Sequence, residues 1–120
     1  MQFISSNFSL EESNVAAFGV PLGKNARKAL DSLRRISQFV EPMDLGSGTN
    51  LLRNVRVHDI GDIDLTSFDK ITEQTKKILD TNKIPLVLGG NHLLSLYSLE
   101  AFDNVKLIVF DAHGDFKNSY

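Results

Sequence analysis

Short apolar runs alternate with segments of helical periodicity along this chain, and that alternation restricts the fold more than any other feature. Val15 to Val20, the neighbourhood of Val55, Val57 and Ile60, the run "IPLVLGG" and Lys106 to Phe110 have strand length and composition. Helical patterns separate them. The order β-α-β-α-β-α-β predicts a parallel sheet covered by helices on both faces, with right-handed crossovers. A chain of 120 residues encloses one modest core, so a single domain or part of a larger one is expected.

The first helix is read from Ala26, Leu30, Leu33 and either Ile36 or Ser37, with Lys28, Arg34 and Arg35 on its remaining surface up to Pro42. The second carries Phe68, Ile71, Thr75, Ile78 and Leu79, with Thr66 or Ser67 as N-cap, and stops near Asn82. The third runs from about Asn91 to Ala101. "EPMDLGSGTN" has the composition of a loop. "IPLVLGG" and Lys106 to Phe110 are apolar on consecutive positions, which predicts strands buried on both faces.

Formal charge of -2 gives no electrostatic reason to expect nucleic acid, and the cationic residues form no block. Cysteine is absent, which excludes disulfides, thiolate metal sites and a cysteine nucleophile, and fits a reducing compartment. No segment approaches the roughly 20 apolar residues that span a bilayer, and the amino terminus lacks a basic region followed by a long apolar run. A cytoplasmic protein without nucleic-acid or membrane partners is expected.

Functional groups of open parallel sheets gather beyond the carboxyl ends of the strands. Two motifs fall there. "LGGNH" follows the third strand and puts His92 at the sheet edge, where paired glycines permit a tight turn and leave space above it. "FDAHGD" follows the fourth. In an extended chain, positions i, i+2 and i+4 project to one side, so Asp111, His113 and Asp115 converge, and His92 joins them if the two strands are neighbours. A carboxylate at the end of a doubly buried strand is costly unless it is paired or metal-bound. Two imidazoles and two carboxylates suit manganese, iron, nickel or zinc better than calcium, whose sites are all oxygen.

Other polar features read as structural. "VHDIGDIDL" carries Asp59, Asp62 and Asp64, but it lacks the remaining ligands and terminal Glu of an EF-hand, so a turn is the better reading. His58 reads as an ordinary strand residue. Lys24, Arg27 and Lys28 could meet an anion, and a solvated helix face explains them equally well.

"GGNH" followed by "DAHGD", with "GVP" and "DIGDID" upstream in the same order, resembles the ureohydrolases, the family of arginase and agmatinase. The likeness runs from about Val15 to Asp115. It implies a three-layer αβα fold, of which the chain supplies about four strands of a larger arginase-like sheet, so that residues 1–120 form the truncated N-terminal part of a single domain. It also implies two Mn2+ ions and hydrolysis of a guanidinium substrate, agmatine or arginine, to urea and an amine. Position by position, His92 matches a ligand of one metal and His113 a ligand of the other. Asp111 matches a carboxylate shared between the metals, and Asp115 a ligand to the same ion as His92. Where the family usually has Asp and Ser, this chain has Asn91 and Leu93, and Asn91 removes a charge that would orient a ligand.

The family's later ligands and its substrate-binding acid fall beyond Tyr120. Charge arithmetic agrees: two divalent ions bring roughly four positive charges, while Asp111, Asp115 and one hydroxide return about three negative ones. The isolated chain is therefore expected to bind manganese weakly and to lack ureohydrolase activity. Its expected partners are a small guanidino substrate and either further copies of itself or a missing C-terminal half. A non-catalytic relative that keeps the fold to associate with a partner subunit is the alternative, and a deacetylase-like amidohydrolase ranks third.

Overall fold

A computed structural model describes residues 2–3, 7–41, 43–50 and 53–112. Its elements run β1 (Val15–Val20), α1 (Ala26–Ser37), β2 (Met43–Asp44), β3 (Thr49–Asn50), β4 (Val57–Asp62), α2 (Asp69–Leu79), β5 (Ile84–Gly89) and α3 (Leu93–Leu99). The main sheet has the order β4-β1-β5, with both pairings parallel. β1 is thus the central strand. The expected loop at "EPMDLGSGTN" contains a small antiparallel hairpin, β2 with β3, turned by Gly48 at φ 65°.

Alternation along β1 explains why helices cover both faces. Ala16, Phe18 and Val20 are fully buried on one face, where Ile71 and Ile78 of α2 meet them and Val87, Leu94 and Tyr97 pack around the cluster. Ala17 and Gly19 point the other way, toward Leu30 of α1. The result is a three-layer α/β arrangement. Burying Phe18 completely contributes about 1.5–3 kcal/mol, which makes this strand the anchor of the core.

α2 forms where its apolar stripe predicts, with Ile71, Thr75 and Ile78 buried and the Thr75 hydroxyl donating to the Ile71 carbonyl at 2.8 Å. Its start differs from expectation. The N-cap position is Phe68, and neither Thr66 nor Ser67 supplies a side-chain cap. Phe68 instead stacks on Tyr97 with ring centroids 4.9 Å apart, so packing against α3 sets the entry to the helix.

α1 departs from its sequence reading in one respect that matters. The buried stripe is Ala26, Leu30, Arg34 and Ser37, while Leu33 and Ile36 stay exposed. Arg34 was expected on the surface. It is buried because two carboxylates from β4 receive it.

The strand expected at Lys106 to Phe110 is absent: residues 105–110 hold no strand, and Phe110 is 97% exposed. Among the described residues β5 is consequently an edge strand of partial burial rather than a doubly buried one, and the condition that the third and fourth strands be neighbours is not met by a ladder. A strand needs a neighbour's backbone to satisfy its amides, and residues 105–110 form no ladder with the open edge of β5.

Candidate functional site

Two polar groupings stand out, one beyond the carboxyl end of β5 and one between β4 and α1. The first was foreseen. β5 ends at Gly89, and α3 begins four residues later, so His92 occupies the residue just before the helix. A Cβ on Gly89 would overlap the Leu94 side chain and lie 3.3 Å from the Val20 carbonyl oxygen, so glycine lets α3 close down on the strand. Gly90 faces open space. Neither glycine takes a positive φ, so close approach rather than a special turn explains the first of the pair. The Asn91 side-chain oxygen accepts the Leu93 N–H at 2.9 Å and fixes the first turn of α3.

His92 Nε2 lies 3.2 Å from Asp111 Oδ2, with the imidazole largely exposed and the carboxylate 23% exposed. The structure therefore brings together two of the four residues singled out from the sequence, although their segments share no ladder. His113 and Asp115 lie outside the described residues. Among the described residues, no three His, Asp or Glu side chains form a group able to hold a metal ion. The donor chemistry of the pair itself, one imidazole nitrogen beside one carboxylate oxygen, suits a borderline divalent cation.

The second grouping was not anticipated as a buried cluster. Arg34 Nε donates to Asp59 Oδ2 at 2.8 Å, Nη2 to Asp59 Oδ1 at 3.2 Å and Nη1 to Asp62 Oδ1 at 2.6 Å. Asp59 also accepts the Gly61 N–H at 2.9 Å and the Phe3 N–H at 2.7 Å. The D-x-G-D motif is thus a carboxylate clamp on α1, not a loop after the strand: Asp59 and Asp62 both sit within β4. Gly61 adopts φ 91°, which a side chain resists. Asp64 is exposed, as are Lys24, Arg27 and Lys28. Arg34 was legible in principle, because it continues the Ala26, Leu30 spacing of the buried stripe.

Burial pushes the Asp59 carboxyl up, but the Arg34 hydrogen bonds, the Gly61 and Phe3 N–H groups and the Arg34 charge together hold it below the ordinary aspartate value. Burial likewise works against the Arg34 cation, and the two carboxylates outweigh it to raise its pKa. A carboxyl depressed by folding contributes stability that is complete above its unfolded value and drains away as pH falls through the folded one. Urea midpoints should therefore fall between about pH 5 and pH 3, and the fall should persist in Asp44→Asn, which removes an exposed carboxylate of the hairpin.

The arrangement defines a class: a three-layer α/β protein with a histidine–carboxylate pair beyond the carboxyl end of a parallel strand. Comparison with known proteins narrows it. A sequence profile of the arginase family matches residues 13–120. The agmatinase of Bacillus cereus is 34% identical over 98% of this chain and 46% of its own length. The N(1)-aminopropylagmatine ureohydrolase of Thermococcus kodakarensis is 38% identical over 88% of this chain and 35% of its own. Among solved structures, the agmatine ureohydrolase of Thermoplasma volcanium superposes with a TM-score of 0.82 at 27% identity, covering 99% of this chain and 44% of that one. The chain belongs to the arginase family, and it spans less than half the length of these relatives.

Among the described residues, no helix is long and apolar enough to cross a membrane.

Proposed function

We propose that this chain forms the N-terminal part of a cytoplasmic, manganese-dependent ureohydrolase that hydrolyses a small guanidino compound to urea and an amine. The observation that carries this reading is the His92 to Asp111 contact at the sheet end of an arginase-family chain. Agmatine is the favoured substrate, since an agmatinase and an agmatine ureohydrolase stand among the relatives. Manganese is favoured by a fold relative, the formiminoglutamase of Trypanosoma cruzi with Mn2+ (TM-score 0.66).

His92 would hold an ion through a ring nitrogen and Asp111 through its carboxylate, with His113 and Asp115 as the remaining ligands supplied by this chain. A divalent metal pair supplies a bound water whose pKa is lowered from about 15.7 toward neutrality. The chain's own part is to position ligands. Gly89 seats α3 against the strand and Asn91 fixes its first turn, and together they set where the imidazole stands. Four ligands do not neutralise two divalent ions, so the chain alone is inactive.

The alternative, a non-catalytic subunit, draws on Asn91. That residue carries no charge and spends its side-chain oxygen on the Leu93 N–H.

A manganese titration followed by electron paramagnetic resonance separates the two readings. Weak saturable binding is expected, reduced about tenfold or more by His92→Ala and by Asp111→Ala. No urea should form from agmatine with the chain alone. An absence of binding, or binding that both variants leave intact, would favour the non-catalytic subunit.

A further inference from the structure

The outer edge of β4 is guarded in two ways along its length. β1 lies on its inner side, and among the described residues no second strand pairs with it. The far half protects itself: its register with β1 slips between Ala17 and Gly19, and Gly61 takes φ 91°, an irregularity of the kind that turns an edge away from further pairing. The first half is regular, with Val57, His58 and Asp59 in step with β1. A cover sits on that half. Asn7 forms an antiparallel bridge with His58, His58 Nδ1 donates to the Phe8 carbonyl at 2.9 Å, and the Phe3 N–H donates to Asp59 Oδ2 at 2.7 Å. Successive strand residues face opposite sides of a sheet, so the side chains of His58 and Asp59 hold the cover from both faces.

The cover is held less firmly than its root. Residues 9–14 are fixed: Ser9 and Glu12 bond reciprocally, Ser13 is buried and its carbonyl accepts Lys83 Nζ at 2.9 Å, and the Asn14 side chain serves both the Asn54 carbonyl and the Arg56 N–H. Gln2 and Asn7, by contrast, are exposed, and Phe3 and Phe8 only half-buried. A further tie, from Gln38 Nε2 to the Gln2 carbonyl at 2.7 Å, is open to solvent. Segments with few buried apolar contacts open at a small fraction of the global unfolding free energy. The cover therefore leaves while its root stays.

We propose that residues 2–3 and 7–8 act as a strap that lifts off β4 about the fixed turn at 9–14, and that the closed strap keeps this edge from pairing with the β4 of a second copy. Two identical edge strands meeting about a two-fold axis run antiparallel and satisfy each other's free amides and carbonyls, so a second copy is the occupant that a bared edge selects. The inference uses neither the metal reading nor the proposed activity, and a failed manganese titration leaves it standing.

Chymotrypsin cuts after Phe8 only when the strap is open, and mass spectrometry reports that cut separately from all others. In the full chain its rate should be nearly independent of urea well below the unfolding midpoint, because local opening exposes little new surface. Asn7→Pro combined with Gln38→Ala removes the bridge and one tie at two exposed positions. This double variant should be cut at Phe8 about tenfold or more faster, and light scattering should show it associating, with amide exchange slowed in β4. Asn7→Ala keeps the backbone bridge and should match the unaltered chain in both assays. Gln38→Ala alone should fold normally and speed the cut to a smaller extent, so the test survives a proline that prevents folding. Cleavage at Phe8 that follows the urea dependence of global unfolding would overturn the proposal. So would a folded double variant that associates no more than Asn7→Ala, or whose association leaves β4 exchange unaltered.

Discussion

Arg34→Ala should cost about 3–5 kcal/mol of folding stability, read as a lowered urea midpoint. The magnitude follows from what the substitution strands. Asp59 is 1% exposed at its side chain and Asp62 14%, and both lean on one guanidinium. Removing it leaves both carboxylates without their cation, with only the Gly61 and Phe3 N–H groups still serving the buried Asp59. The neighbouring Arg35→Ala removes an identical charge from an exposed position and should change stability by no more than about 0.5 kcal/mol. Equal effects at the two positions would show that the clamp contributes nothing specific.

Gly19→Ala should come next, at the upper end of the roughly 1–3 kcal/mol typical of overpacking. Gly19 pairs with Asp62 across the β1/β4 ladder, at an irregularity in register. A Cβ there would overlap Asp62 Oδ1 and press to 3.0 Å on both Asp62 Cγ and Leu30 Cδ1. Because Asp62 must move off Arg34 to make room, the loss runs through the same clamp. A double-mutant cycle with Asp62→Asn should then show coupling of at least about 0.5 kcal/mol. Strict additivity would place the effect on Leu30 packing instead.

Residues whose role depends on local pattern were readable without coordinates. Val15 to Val20 is a strand over the expected span because its apolar run is closed by Pro21, and α2 follows its stripe from Ile71 to Ile78. The motifs "GGNH" and "DAHGD" were enough to single out His92 and Asp111, which do meet. What failed was everything set by a distant partner. Arg34 continues the spacing of Ala26 and Leu30, but its charge argued for the surface, and only the carboxylates of β4, some 25 residues on, make its burial possible. The apolar run at 106–110 shows strand propensity, yet pairing requires a neighbour that the described chain does not place beside it. Asp59 and Asp62 were taken for turn residues because the spacing of acids reveals nothing about a cation arriving from α1.

The middle position of β1 has a consequence for synthesis on the ribosome. This strand emerges first, yet neither of its neighbours exists until residues 57–62 and then 84–89 have been translated. Phe18 and Val20, wholly enclosed in the finished layers, must wait in a nascent chain without their shelter. Contacts of such separation form slowly, and the interval exposes an aggregation-prone hexapeptide to other chains. Slowing translation should therefore do less for soluble yield than supplying a chaperone that holds residues 15–20.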